Sequence, residues 1–286
     1  MRGRVLIVAG SDSGGGAGIQ ADIKTVTALG GYAATAISAL TAQDTRDVHG
    51  VLDVPPEFVA RQMEVVLDDI GADCVKTGMM GRAAVVEAVA GVLERMAPDT
   101  PLVVDPVMVA KGGARLLDDD AGAALTGLLV RRATVITPNL PEAEALTGAA
   151  IADPADMVGA ARVLRTLGPR AVLLKGGHMT GSTVRDLLVD GDGETWFEGP
   201  RVDTRHTHGT GCTLASAVAT GLAQGLSIRA AVERARAYVL AAIRAAPGFG
   251  AGHGPLGHGH AIPPYEGFGI EEGAAGGGIT RGTTGA

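Results

Sequence analysis

The amino-acid sequence predicts an α/β fold, with a mostly parallel central sheet and helices on both faces. Two observations carry this expectation. Short apolar runs, rich in Val and Ile and bounded by Gly, Pro or Asp, read as buried strands. The longer stretches between them, several with apolar residues three and four apart, read as helices. Regular alternation of the two implies parallel strands covered on both sides.

The strands are read at Arg4–Ala9, Ala33–Ser38, Cys74–Thr77, Leu102–Asp105, Thr134–Thr137 and Ala171–Lys175. The helices between them are read at Ile19–Leu29, Pro56–Asp69, Ala83–Met96, Asp119–Leu129, Pro141–Leu146 and Pro154–Leu167. Pro56, Pro141 and Pro154 sit where the first turn of a helix tolerates proline. In Pro56–Asp69, Phe58, Val65 and Val66 line one side while Glu57, Arg61, Glu64 and Asp68 charge another. The pattern then changes. Val184–Val189 and Glu194–Phe197, joined by Asp190-Gly191-Asp192-Gly193, read as a hairpin at a sheet edge. Two helices follow, Gly211–Gln224 and Ile228–Ala246.

A chain of 286 residues accommodates one large domain, and residues 1–264 read as a single one. Hydrophobic residues at 46% and charged residues at 19% exclude wholesale disorder. Aromatics are only 3%, so Ala, Val, Leu and Ile must fill the core. A formal charge of −7 argues against a surface built for nucleic acid or anionic lipid, while leaving room for a local phosphate site. Two cysteines, Cys74 and Cys212, cannot frame a disulfide fold and fit a reduced, cytoplasmic setting, with Cys74 read as core. The apolar run Val5–Ala9 is too short for a secretory signal. The uncharged stretches 26–43 and 206–228 are too broken by Gly, Ser, Thr and Gln for membrane spans. Tyr265–Ala286, with eight glycines, reads as a disordered tail.

Three segments carry candidate chemistry. The loop Gly10–Gly18 follows a strand and precedes a helix, the place of a nucleotide loop. It fails both the G-x-G-x-x-G and the G-x-x-x-x-G-K-[ST] spacings. It is either a tight turn followed by a solvated Asp22, or a place of close backbone approach to a ligand with Asp22 one turn into the helix. The second segment is Thr207-His208-Gly209-Thr210-Gly211-Cys212-Thr213. Its Gly-Thr-Gly can turn successive amides toward one point at the positive end of a helix, where phosphate binds. Cys212 is then either a small core residue or a thiol whose pKa the helix start lowers, making it a general base. The third is Thr137-Pro138-Asn139-Leu140-Pro141-Glu142, at the carboxyl end of a strand. Asn139 and Glu142 can reach a common Mg²⁺ or phosphate, and Asp105 points at the same rim. Glu142 has the plainer reading of a first-turn charge on the helix dipole.

Weaker candidates are Lys175, placed to neutralise nucleotide phosphate, and Gln43, whose amide suits a heterocycle edge. Ala110-Lys111-Gly112-Gly113 could form a lid. His206-x-His208 and His258-x-His260 lack further ligands at zinc spacing.

The chain resembles the bacterial hydroxymethylpyrimidine/phosphomethylpyrimidine kinases of thiamine biosynthesis. The opening Ala9–Lys24 carries the resemblance, with Ala39–Thr45, Lys76–Met80, Asp105–Gly113, Ile136–Ala143, Leu174–His178 and Thr207–Leu214. These blocks lie in the family's order across residues 4–245. The resemblance implies a ribokinase-like fold, a homodimer, and transfer from Mg-ATP to 4-amino-5-hydroxymethyl-2-methylpyrimidine and then to its monophosphate. It leaves open whether a monovalent cation is needed. It implies Cys212 as base, with Gly209, Thr210 and Gly211 holding the phosphoryl group in transfer. It gives Asp22, Gln43, Met79, Val107 and Gly10 to the pyrimidine, Asn139, Lys175 and Thr210 to ATP, and Asp105 and Glu142 to the metal. A pyridoxal or pyridoxine kinase of the same fold is the alternative, since both substrates are flat rings bearing a primary alcohol. A non-catalytic binding protein that kept the fold has no use for Cys212 or Glu142.

Overall fold

The computed structural model describes residues 2–108 and 119–263. The expected lid at Ala110–Gly113 and the expected tail at Tyr265–Ala286 lie outside the described residues. Nine strands form one sheet. They are β1 (Arg4–Asp12), β2 (Tyr32–Gln43), β3 (Val48–Asp53), β4 (Cys74–Thr77), β5 (Leu102–Val104), β6 (Val135–Ile136), β7 (Val172–Leu174), β8 (Thr183–Asp190) and β9 (Gly193–Pro200). Their spatial order is β3-β2-β1-β4-β5-β6-β7-β8-β9, parallel from β2 through β7 and antiparallel at both margins. The expected α/β architecture is therefore the observed one.

Side-chain alternation divides the sheet into two apolar faces. Leu6 and Val8 of β1, Val75 of β4 and Leu102 and Val104 of β5 point to one side. There they meet α2 (Pro56–Asp69), α3 (Ala83–Met96), α4 (Asp119–Ala124), α5 (Leu140–Thr147) and α6 (Pro154–Thr166). Val5, Ile7, Val103 and Val135 point to the other, against α1 (Gly18–Ala28), α7 (Thr210–Ala223) and α8 (Ile228–Arg244). A period of two on strands buried on both faces explains why these runs are apolar at every position.

Three elements depart from the expectation. β2 extends beyond Ser38 to Gln43 and pairs with β3, which has no apolar signature because Gly50, Val51 and Leu52 are exposed. The stretch expected as one helix, Asp119–Leu129, is α4 followed by a π-helical turn at Leu125–Leu129 and a 3₁₀ turn at Val130–Arg132. Its Leu125, Leu129 and Val130 nonetheless reach the core. The hairpin strands β8 and β9 run further than expected at both ends and close the sheet.

After α8 the chain runs back across the molecule. His253 N–H donates to the Thr45 carbonyl, His208 N–H to the Gly254 carbonyl, and Tyr238 hydroxyl to the His258 carbonyl. His258 is buried against Thr213 Oγ1 at 2.9 Å, and burial pushes its imidazole down to about 4. This return segment fastens the end of β2, the loop before α7 and α7 itself.

Leu6 is fully buried between the sheet and α2–α3, so Leu6→Ala should cost about 2–5 kcal/mol in urea unfolding. A loss below about 1 kcal/mol would show that this face is not a packed core.

Candidate active site

β1 lies between β2 and β4, so the chain leaves the centre of the sheet first to one side and then to the other. Such a reversal opens a crevice at the carboxyl ends of the two central strands. A cavity of about 1540 Å³ occupies that position, large enough for two substrates end to end. Its wall includes Gly10, Gln43, Met79 and Val107 near β1 and β2. Asp105, Asn139, Glu142 and Lys175 line it further along the sheet, and Gly209, Thr210, Gly211 and Cys212 line it at the start of α7.

The start of α7 is shaped by glycine. Gly209 caps the helix with φ +80°, a left-handed conformation that costs other residues energy. It also lies directly on the Gly10–Gly18 loop, where a Cβ on Gly209 would overlap the Gly16 carbonyl oxygen. The glycine-rich loop thus lies backbone to backbone against the chain's own second loop, and it is the absence of a side chain at Gly209 that this contact requires. Thr210 donates to the Thr207 carbonyl from its Oγ1 at 2.8 Å and from its backbone N–H at 3.4 Å, which holds the turn, and Gly211 and Cys212 follow it along the cavity wall.

Cys212 lines the cavity in the first turn of α7, and the Gly18 amide, the first of α1, donates to its sulfur. Two helix starts therefore meet at this thiol. The expectation that its pKa is lowered is overturned. Burial pushes it up to about 12, outweighing the pull of Lys76 and the Gly18 amide, while Asp22 and Asp105 add to the rise. Desolvation of a thiolate costs more here than the helix ends return.

Asp22 is also placed differently from the expectation. It is fully buried and is absent from the cavity wall. One carboxylate oxygen accepts from Lys76 Nζ at 2.8 Å and the other from Ser216 Oγ at 2.7 Å, so both are committed within the protein. A buried carboxylate with a paired cation is far cheaper than one left open to a ring. Lys76 does line the cavity, and although burial opposes its charge, the Asp22 carboxylate holds its pKa above the ordinary lysine value. Gly10 lies against Met79, where a Cβ on Gly10 would stand 2.6 Å from Met79 Cε.

Asn139 and Glu142 form a capping box at the start of α5. Glu142 N–H donates to Asn139 Oδ1 at 2.9 Å, and Asn139 N–H donates to Glu142 Oε2 at 2.7 Å. The plain helix-start reading of Glu142 therefore holds alongside its place in the cavity. Lys175 Nζ lies 3.1 Å from Asp105 Oδ1 and 3.9 Å from Glu142 Oε2, and Thr137 Oγ1 donates to the same Asp105 oxygen at 3.0 Å. Burial pulls the Lys175 pKa down, but Asp105 and Glu142 more than offset it. Glu142 is pushed up to about 7, first by burial, with Asp105 adding to the rise and Lys175 opposing it. One lysine serves two buried carboxylates, which leaves negative charge in excess.

The profile of the family described as phosphomethylpyrimidine kinase matches residues 12–257. This chain belongs to that family. A hydroxymethylpyrimidine/phosphomethylpyrimidine kinase from Streptomyces coelicolor is 52% identical over 258 residues, covering 90% of this chain and 95% of that protein. The thiamine biosynthesis bifunctional protein ThiED of Geobacter sulfurreducens is 54% identical over 257 residues, and the match spans about half (52%) of that longer protein. Among solved structures, the ADP complex of Bacillus subtilis pyridoxal kinase superposes with a TM-score of 0.85 at 35% identity, covering 91% of this chain and 98% of that one.

Asp12, Lys76, Ser216 and His208 complete the surroundings of the site, and none of them was assigned a role in it from sequence. Asp12 had a local signal, an acidic residue just before a run of loop amides, which is the pattern of an Asx-type turn. Lys76 and Ser216 had none, since a strand lysine and a helix serine gain meaning only from the pairing of distant elements.

Glu142 also predicts a pH dependence of stability. With its folded value raised to about 7, the native state holds this proton more tightly than the unfolded chain. The contribution is complete below the ordinary glutamate range and is lost as pH rises through about 7. Between about pH 5 and pH 8 the ligand-free protein should lose stability on the order of 2 kcal/mol from this group. Glu142→Gln should flatten that part of the melting profile, and an unchanged slope would remove the assignment.

Proposed function

We propose that this chain is an ATP-dependent kinase that phosphorylates the primary alcohol of 4-amino-5-hydroxymethyl-2-methylpyrimidine and then the monophosphate it forms, in thiamine biosynthesis. The observation that carries the proposal is the start of α7, where Gly209–Gly211 and Cys212 stand between a pocket for a flat ring and a cluster suited to phosphates. The relatives' names and identities support the pyrimidine as acceptor.

In this reading Met79, Val107 and Gly10 bound a slot for the ring, and the Gln43 amide meets its edge. The amides at the start of α7 hold the phosphoryl group as its charge spreads over the equatorial oxygens, where a fixed positive helix end is worth most. Lys175 neutralises phosphate oxygens, with Asn139 beside it at the rim. Asp105 and Glu142 would hold Mg²⁺. Their excess negative charge fits a cation, and among the described residues no third His, Cys, Asp or Glu joins them. Two carboxylates suit magnesium, which keeps water and phosphate oxygens as its other ligands. When bound, the ion supplies neutralisation of the ATP phosphates. Cys212 faces the reacting hydroxyl and takes its proton late, as the new O–P bond forms. ATP as donor agrees with a cytoplasmic enzyme, and among the described residues no helix is long and apolar enough to cross a membrane.

A pyridoxal kinase is the second reading, favoured by the superposition on the Bacillus subtilis enzyme. Incubation with Mg-ATP and each ring, in potassium and in sodium salts, separates the two. Monophosphate followed by diphosphate of the pyrimidine is the expected result, and consumption of pyridoxal with no pyrimidine product would overturn it. Cys212→Ala should lower kcat for the alcohol by about 10²-fold or more while pyrimidine binding persists. Near-normal turnover would remove Cys212 as the proton acceptor.

We further propose a homodimer formed through the β2–β3 flap. Leu40 and Leu52 are directly paired across the two strands and both are exposed, an apolar surface that a monomer gains nothing by showing. Leu52→Asp should shift the sedimentation coefficient from dimer to monomer. A wild-type protein that sediments as a monomer at all concentrations would end the proposal.

A further inference from the structure

Asp12 and His208 take no part in the phosphoryl transfer proposed above, yet both line the cavity and both are largely buried. Asp12 Oδ1 accepts the Gly14 amide at 2.8 Å. Its Oδ2 accepts the Gly16 amide at 3.1 Å, the Ala17 amide at 2.8 Å and His208 Nε2 at 2.9 Å. Burial alone would raise the Asp12 pKa, but donation from His208 and from the Ala17 and Gly14 amides lowers it below the ordinary range. Asp12 is thus a carboxylate, and a carboxylate only accepts.

This fixes a hydrogen on His208 Nε2, with consequences for Gln43. The Gln43 side-chain nitrogen lies 3.3 Å from that same His208 Nε2, which sets a donor against a donor. At the other end of the amide, Thr41 Oγ1 lies 3.2 Å from Gln43 Oε1. A hydroxyl carries one hydrogen, and of its two acceptors the Ser11 carbonyl at 2.9 Å is the nearer; with the hydrogen placed there, the Gln43 contact sets an acceptor against an acceptor. Turning the amide over resolves both conflicts at once. Gln43 Oε1 then shares the His208 N–H with Asp12, and the Gln43 nitrogen donates to Thr41 Oγ1. The two orientations of an amide differ only by exchange of O and N, and the hydrogen-bond partners decide between them.

We propose that Asp12, His208 and Thr41 are positioning residues that lock the sense of the Gln43 amide, so that the cavity meets one N–H and one carbonyl lone pair in a fixed order. A fixed donor–acceptor pair selects rings whose edge carries an amine directly beside an unprotonated ring nitrogen. A 4-aminopyrimidine has that edge. A 3-hydroxypyridine lacks it, because its hydroxyl and ring nitrogen are separated by a methyl-bearing carbon. An amide free to rotate would serve either order and discriminate less. This inference rests on the kinase reading for its substrates, while the lock itself is a property of the protein without ligand.

Two measurements test it. Nitrogen-15 NMR of the histidine rings, with the His208 signals assigned by their loss in His208→Leu, should show the Nε2–H tautomer. An Nδ1–H tautomer would overturn the lock whatever the substrate proves to be. Kinetics on the aminopyrimidine alcohol and on pyridoxal, using KM or the inhibition constant where a ring binds without turnover, then read the selectivity. Thr41→Val should weaken the pyrimidine about tenfold relative to pyridoxal, the loss falling on KM more than on kcat, and Thr41→Ser should restore the wild-type ratio. Equal weakening of both rings, or failure of serine to rescue, would reduce Thr41 to a packing role and overturn the proposal. If His208→Leu does not fold, alanine replacement at the other histidines assigns the signal by elimination. A wild-type protein inactive on both rings would count against the kinase reading only, and the tautomer would still decide the lock.

Discussion

The contact of backbone on backbone between Gly16 and Gly209 is the constraint from which the site follows. Two loops from opposite ends of the chain meet there with no side chain between them. That approach brings the start of α1 and the start of α7 to one point, with Cys212 between them. Each helix start presents amides without internal partners, and each adds a positive end to the same small volume. A methyl group on Gly209 would overlap the Gly16 carbonyl oxygen and push the two helix ends apart.

Beneath that point the molecule solves an electrostatic problem by pairing. Lys76 sits within the sheet with no exposed surface, a position no free ammonium could hold. Asp22 makes it tenable, and Ser216 on α7 completes the carboxylate's bonding, so one ion pair ties β4, α1 and α7 together. Breaking such a pair leaves an uncompensated charge in the core, whereas replacing both partners together is far milder. The pair therefore acts as a rivet under the two helix starts, and it also places a fixed cation beside the thiol.

Much of this was legible in the sequence because the decisive signals are local. Apolar runs such as Val5–Val8 and Val172–Leu174 mark strands buried on both faces, and Gly209–Gly211 before an uncharged stretch marks the helix start that lines the cavity. What escaped depends on partners far apart in the chain. Asp22 looks like a ligand-binding residue until Lys76, 54 residues away, is seen to claim it. β3 is invisible because it leaves the layered core, so neither of its faces needs to be apolar. The helix at Asp119 loses its regularity at Leu125, where core contacts override a plain helical repeat.

The raised pKa of Cys212 bears on how the proton moves. A thiol held near 12 is almost wholly protonated at neutral pH, so it is a scarce base, but its thiolate is a stronger one than an unperturbed cysteine provides. In a loose phosphoryl transfer the attacking hydroxyl keeps its proton until the new bond is well advanced, and that proton becomes strongly acidic only then. A late acceptor need not be ionised throughout the cycle. It must be close and correctly oriented, with a cation at hand to stabilise the charge that passes through it. Burial raises the thiol's pKa and Lys76 works against that rise, which is the balance a late acceptor requires. The second phosphorylation, in which the acceptor is a phosphate monoester already ionised at neutral pH, has no such proton to remove. In the proposed reaction Cys212 would therefore matter most for the alcohol, and the helix starts that converge on it for both steps.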